Sequence, residues 1–143
     1  MSQVRAVLDA NVLVSALINR HGPPGRIVER LLDARAFQIV VSEELLAELR
    51  RALHYPKIRR RLALSEGEIS LWVEALGLIA DVVRGELKLR VVPEDPDDDQ
   101  YVSAAVEGLA QFLVTGDAHL LALKEYEGIR ILTPREFLDV LGD

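Results

Sequence analysis

The chain has 143 residues, a length that fits one domain able to bury roughly two thirds of its unfolded surface. Half of it is hydrophobic and 28% charged, as in ordinary soluble globular proteins, and it has no cysteine, which excludes disulfides, thiol catalysis and Cys-ligated zinc. The formal net charge of −6 runs against the basic surface usual in nucleic-acid binders, but the charge is unevenly placed. Residues 4–8 are mostly apolar and break at Asp9, as a short buried strand does. Residues 12–18 read as a helix. Residues 20–25 form a turn, and Pro24 opens a second helix through Ala34. Residues 37–41 are rich in β-branched side chains and read as the second strand. Ser42 is a good N-cap, followed by a helix to about Leu53 with a core stripe of Leu45, Leu46, Leu49 and Leu53. Ser65 and Glu68 make a capping box for a helix with Ile69, Trp72, Val73 and Leu76 at helical spacing. Residues 79–83 and 89–92 read as short strands or extended segments. Residues 94–98 are an acidic loop. A helix follows from Asp99, its apolar stripe Val102, Ala105, Val106 and Leu109. Residues 112–115 are a third core strand, with a short helix around 119–123, a last strand at 129–132 and a closing helix capped by Thr133 and Glu136. Strands alternating with helices imply a single α/β domain over residues 1–143: a three-layer α/β/α sandwich on a mostly parallel sheet.

Four acids stand at strand ends or on the helices that follow: Asp9, Glu48, Asp99 and Asp117. In an α/β fold the carboxyl ends of parallel strands meet in one crevice. Carboxylates gathered there repel and raise each other's pKa, and a hard divalent cation relieves that repulsion. The pattern points to a metal-dependent enzyme acting on phosphates. Each acid also has a plain reading. Asp9 and Asp117 suit helix caps, and Glu48 borders an apolar stripe where it can pair with Arg51. Asp95-Pro96-Asp97-Asp98-Asp99 has the spacing of a calcium loop but lacks its glycine and its closing glutamate. No Walker-type or Gly-x-Gly-x-x-Gly loop is present, so ATP and NAD are not implied. Nor does the single Asp followed by Asn11 fit a haloacid dehalogenase phosphatase, which wants a second Asp there. A response-regulator receiver, with its adjacent acids and later lysine, fits no better. Arg50, Arg51, Lys57, Arg59, Arg60 and Arg61 form a basic block. No apolar run is long enough for a membrane span, and the N-terminus lacks a signal-peptide pattern, so a cytoplasmic protein is expected.

Taken together, the motifs resemble the PIN domain family, in particular the VapC-like toxin components of toxin–antitoxin systems. The resemblance rests on residues 7–16 around Asp9 and Asn11, residues 42–49 ending on Glu48, residues 95–105 with their extra acids, and residues 113–121 around Thr115 and Asp117. It implies a Mg²⁺- or Mn²⁺-dependent endoribonuclease whose metal is held by Asp9, Glu48, Asp99 and Asp117. Asn11 and Thr115 would orient the carboxylates, and Asp98 would approach through water. Asp99 is favoured within its run because it opens a packed helix. The resemblance also implies an RNA substrate, a small antitoxin partner and a homodimer, for which the helix of Ile69, Trp72, Val73 and Leu76 is apolar enough to contribute a surface, although the same residues could equally be core; the basic block, which follows the helix carrying Glu48, is expected on the RNA backbone. The rival expectation is a PIN-fold module that binds RNA or protein without catalysis.

Overall fold

The computed structural model describes residues 3–143. β1 (Arg5–Leu8) leads to α1 (Ala10–Ile18) and α2 (Pro23–Ala34), then β2 (Gln38–Ser42) and α3 (Glu43–His54). The short α4 (Pro56–Arg59), α5 (Glu66–Ile79) and β3 (Asp81–Val83) follow. After an extended stretch, a 3-10 turn (Pro96–Asp98) enters α6 (Asp99–Glu107). The chain ends with β4 (Phe112–Val114), α7 (Ala118–Leu123), β5 (Glu125–Tyr126), β6 (Ile129–Leu132) and α8 (Pro134–Val140). The sheet order is β3-β2-β1-β4-β6-β5, parallel throughout except for the β5–β6 pair. This is the three-layer α/β/α arrangement expected. Its central strands are buried on both faces: Ala6, Val7, Leu8, Ile39, Val40 and Val41 have no exposed surface, as parallel strands under helices require.

The expected caps form. Ser65 with Glu68 and Thr133 with Glu136 make reciprocal capping boxes, and Ser42 accepts from the N–H of Leu45 at 3.0 Å. The apolar stripe of α3 is fully or nearly fully buried. Phe37 precedes β2 and packs edge-on against Phe137 of α8, ring centroids 5.1 Å apart.

Four expectations shift. Ile69, Val73 and Leu76 face the core and Trp72 is half-buried, so the exposed apolar side chains of α5 are instead Leu71 and Leu78. Leu109 does not continue the buried stripe of α6. The helix stops at Glu107, and Leu109 sits in left-handed backbone at φ 54°, 79% exposed. Gly108, the residue that caps the helix end, lies against the sheet: a Cβ at that position would come within 2.4 Å of Val40 Cγ1. The third shift concerns residues 84–92, which form no strand. Their alternate backbone amides donate to side chains along one face of α6: Gly85 and Leu87 to Glu107, Leu89 to Ser103, Val91 and Val92 to Asp99. Finally, α4 and β5 were not foreseen.

α6 crosses the sheet over β1, β2 and β4. Arg5, at the start of β1, donates to the carbonyl of Gly108 at the C-terminal end of α6 and pairs with Asp81 of β3. α6 is therefore fastened at both ends, by Arg5 below and by Asp99 above.

Candidate metal centre

Asp9 is the first residue past β1, and its N–H donates to the carbonyl of Val114 at 3.1 Å, which locks it to β4. Its carboxylate caps α1 by accepting from the N–H of Val12 at 2.8 Å, and its other oxygen accepts from the Thr115 hydroxyl. Thr115 follows β4 and is fully buried; its hydroxyl oxygen also accepts from the N–H of Asp117 at 3.0 Å. Asp117 in turn caps α7, accepting from the amides of His119 at 2.8 Å and Leu120 at 3.1 Å. Two strand ends and two helix starts are thus tied by one hydroxyl.

Glu48 lies in the middle of α3, half-buried, and accepts from the side-chain amide of Gln100. Burial pushes the Tyr101 phenol well up, helped by the charges of Glu48 and Asp9 and a hydrogen bond to Glu48. Gln100 and Tyr101, on the first turn of α6, therefore brace Glu48. Tyr101 is also part of the buried core, and neither it nor Gln100 is among the expected site residues.

The acid run resolves differently from the expectation. Asp99 turns away from the other acids: its Oδ1 accepts from the amides of Val91 and Val92, both at 2.8 Å. Asp98, one residue earlier, is buried, and its Oδ2 has no hydrogen-bond partner. Burial pushes the Asp98 carboxyl up to about 7, reinforced by a hydrogen bond shared with Asp117 and by the charges of Asp117, Asp95 and Asp9. Burial also raises Asp9, against its bonds to Thr115 and Val12, with Glu48 and Asp117 adding to the rise. For Asp117 burial acts upward as well, but the Leu120 amide, the bond to Asp98, the His119 amide and the His119 ring outweigh it and leave the group lowered. Ligand atoms of Asp95, Asp98, Asp117 and His119 lie within 4.8 Å of one another. His119 and Asp95 were not expected here; the signal was the spacing of His119 two residues after Asp117.

Asn11 is exposed on the first turn of α1 and its side chain makes no hydrogen bond among the described residues. Of the basic block, Arg50, Arg51, Lys57, Arg60 and Arg61 are exposed and Arg59 is half-buried. None of them pairs with an acid among the described residues.

The donor set fits a hard divalent ion. Among the described residues it gathers the carboxylates of Asp95, Asp98 and Asp117 with the imidazole of His119, and a buried Asp98 oxygen lacks a partner unless a proton or a cation supplies one; Asp9 and Glu48 lie outside that cluster, Asp9 near enough for its charge to act on Asp98. The acids gather at the carboxyl ends of the parallel strands, the place where open α/β sheets bind their ligands. Comparison with known proteins gives the family. The model of the PIN domain matches residues 5–119. A relative in Methanocaldococcus jannaschii, the uncharacterized protein MJ1680, is 27% identical over 145 residues, covering 96% of this chain and 91% of its own. The crystal structure of PAE2754 from Pyrobaculum aerophilum superposes with a TM-score of 0.63 at 20% identity, covering 97% of this chain and 90% of that one. VapBC2 from Rickettsia felis, solved bound to a DNA fragment from their promoter, gives a TM-score of 0.57 at 18% identity, with 91% of this chain and 98% of that one covered. The chain belongs to the PIN domain family.

Proposed function

We propose that the protein is a divalent-metal-dependent endoribonuclease, the toxin of a toxin–antitoxin pair. The observation that carries this reading is the nest itself: Asp9, Asp98 and Asp117 buried or half-buried together, with one buried Asp98 oxygen left without a partner. PIN domains are generally nucleases, and one structural neighbour is a toxin–antitoxin protein, which supports the choice of an antitoxin as partner. A homodimer and a cytoplasmic setting, where RNA is at hand, belong to the same reading. No described helix is long and apolar enough to cross a membrane.

In this reading Asp9, Glu48, Asp98 and Asp117 hold Mg²⁺ or Mn²⁺, and Asp98 takes the place expected of Asp99. When bound, the ion lowers the pKa of a water and neutralises charge on the scissile phosphate. The chain's own residues supply placement. Thr115 holds Asp9 and the Asp117 backbone in one register, while Gln100 and Tyr101 hold Glu48. No side chain has to act as a nucleophile. Asp99 holds the chain between β3 and α6 in place, and the basic block draws in the RNA backbone through its phosphates.

Cleavage of an RNA panel with and without Mg²⁺ or Mn²⁺ tests this. Chelation and Asp9→Asn each abolish cleavage, and the variant keeps its fold. Undiminished cleavage in excess EDTA refutes the mechanism. RNA or protein binding with no cleavage under any divalent ion would leave the non-catalytic module instead.

A further inference from the structure

Beyond Glu48, α3 runs outward into the unpaired basic block, and in the middle of that block stands Tyr55. It is 66% exposed and, among the described residues, the one aromatic of the exposed large hydrophobic side chains. Its backbone is not loose. At φ −62° and ψ 128° it sits in the extended region that a following proline enforces. Its N–H donates to the carbonyl of Ala52 at 3.2 Å, and its carbonyl accepts from Ile58 at 2.9 Å and Arg59 at 2.7 Å. The ring is therefore presented from a fixed corner between α3 and α4 and fills no part of the core.

This corner lies along α3 from Glu48. Helical periodicity puts Arg51 about one turn beyond Glu48 and residue 55 about two turns beyond it, roughly 10 Å along the axis. That span brings it within reach of the nucleotides flanking a phosphate held at the nest. A flat ring between free cations is the composition that holds single-stranded nucleic acid: phosphates meet the charges, and a splayed base lies on the ring. Duplex bases are already stacked and offer no face to such a ring.

We infer that Tyr55 is a stacking platform for an unpaired base of a single-stranded RNA substrate, with Arg51 and its neighbours gripping the adjoining backbone. The inference rests on the nuclease reading and adds to it the side chain that holds a base beside the scissile phosphate. An acidic protein segment would use the same cations but would not depend on the ring or discriminate single from double strands.

The test is fluorescence anisotropy with a short fluorescein-labelled single-stranded RNA, and its duplex, in EDTA so that nothing is cut. The single strand binds more tightly than the duplex. Tyr55→Ala weakens single-strand binding about 5- to 50-fold without changing its salt slope, and Tyr55→Phe restores it. Arg51→Ala lowers the salt slope by about one. Tyr55 is outside the core, so unchanged thermal melting confirms that each variant is folded. Equal binding by wild type and Tyr55→Ala overturns the platform, as does Tyr55→Phe failing like Tyr55→Ala. If the wild type cleaves RNA with Mg²⁺ while Tyr55→Ala binds and cleaves normally, the platform falls and the nuclease reading stands. If the wild type neither binds nor cleaves any RNA, both fall.

Discussion

Asp98→Asn makes the metal-free protein more stable, and the gain depends on pH. The Asp98 carboxyl rises from the usual 3.8 to about 7 in the folded chain, so between those values the folded state holds a proton that the unfolded state has lost. Stability conferred by that proton is present at low pH and is lost as pH rises through 7. For an isolated group this difference amounts to about 4 kcal/mol. Asp98 shares its site with Asp117, whose carboxyl is lowered, so about half of that figure, roughly 2 kcal/mol, is the expected gain at pH 8. In a domain of this size that raises the melting temperature by about 4–8 °C. Asparagine keeps the shape and offers Asp117 an N–H, so no buried partner is orphaned. The assay is thermal unfolding followed by circular dichroism in EDTA at pH 5 and pH 8. At pH 8 the variant melts higher than wild type; at pH 5, where wild-type Asp98 is protonated, the gap narrows sharply. Adding Mn²⁺ at pH 8 reverses the order, because only the wild type gains binding energy on folding. A variant that melts lower at pH 8 without metal, or a gap of equal size at both pH values, refutes the reasoning.

Asp99→Ala goes the other way: it strips two backbone amides of their charged acceptor and costs about 2–3 kcal/mol at neutral pH, read as a lower urea midpoint with or without divalent ions. Should Asp99→Ala leave the midpoint unchanged while abolishing metal binding, the assignment of Asp98 and Asp99 is reversed. Gly108→Ala forces a methyl group against Val40 and Val83, costs about 1–3 kcal/mol, and lowers cleavage by shifting the helix that carries Gln100 and Tyr101. A crystal structure of that variant with α6 unmoved would show that the clash is absorbed elsewhere.

The sheet and most helices were legible because buried parallel strands read as short apolar runs and the helix starts carry caps whose chemistry is local. Asp9, Thr115 and Asp117 were legible for the same reason, since each sits where a strand ends. The acid run was not. Asp98 and Asp99 are neighbours at the entry to a helix, where one residue step turns a side chain by about 100°. Which one faces the nest is decided by the tilt of α6, and that tilt depends on Gly108 fitting against Val40 and on Arg5 reaching the helix end. Gln100, Tyr101 and His119 gain their roles only when α6, α3 and α7 converge, a relation no spacing in the sequence encodes. Residues 89–92, expected as a short strand or an extended segment, are extended, and their amides bond to side chains of α6, a partner that no local pattern names.

That strap has a consequence for how the molecule behaves among its own copies. The amides of residues 85, 87, 89 and 91 are taken up by α6, whereas those of 86, 88 and 90 have no partner among the described residues. An extended run with one free rim invites another chain to add a strand, the route by which folded proteins begin to aggregate. Here the invitation is guarded: Arg84, Glu86, Lys88 and Arg90 are all exposed along the strap. Two straps brought together antiparallel would have to bury eight charges, six of them positive, at a narrow seam. Charge on the strap thus guards its free rim against strand-to-strand pairing between copies of the chain.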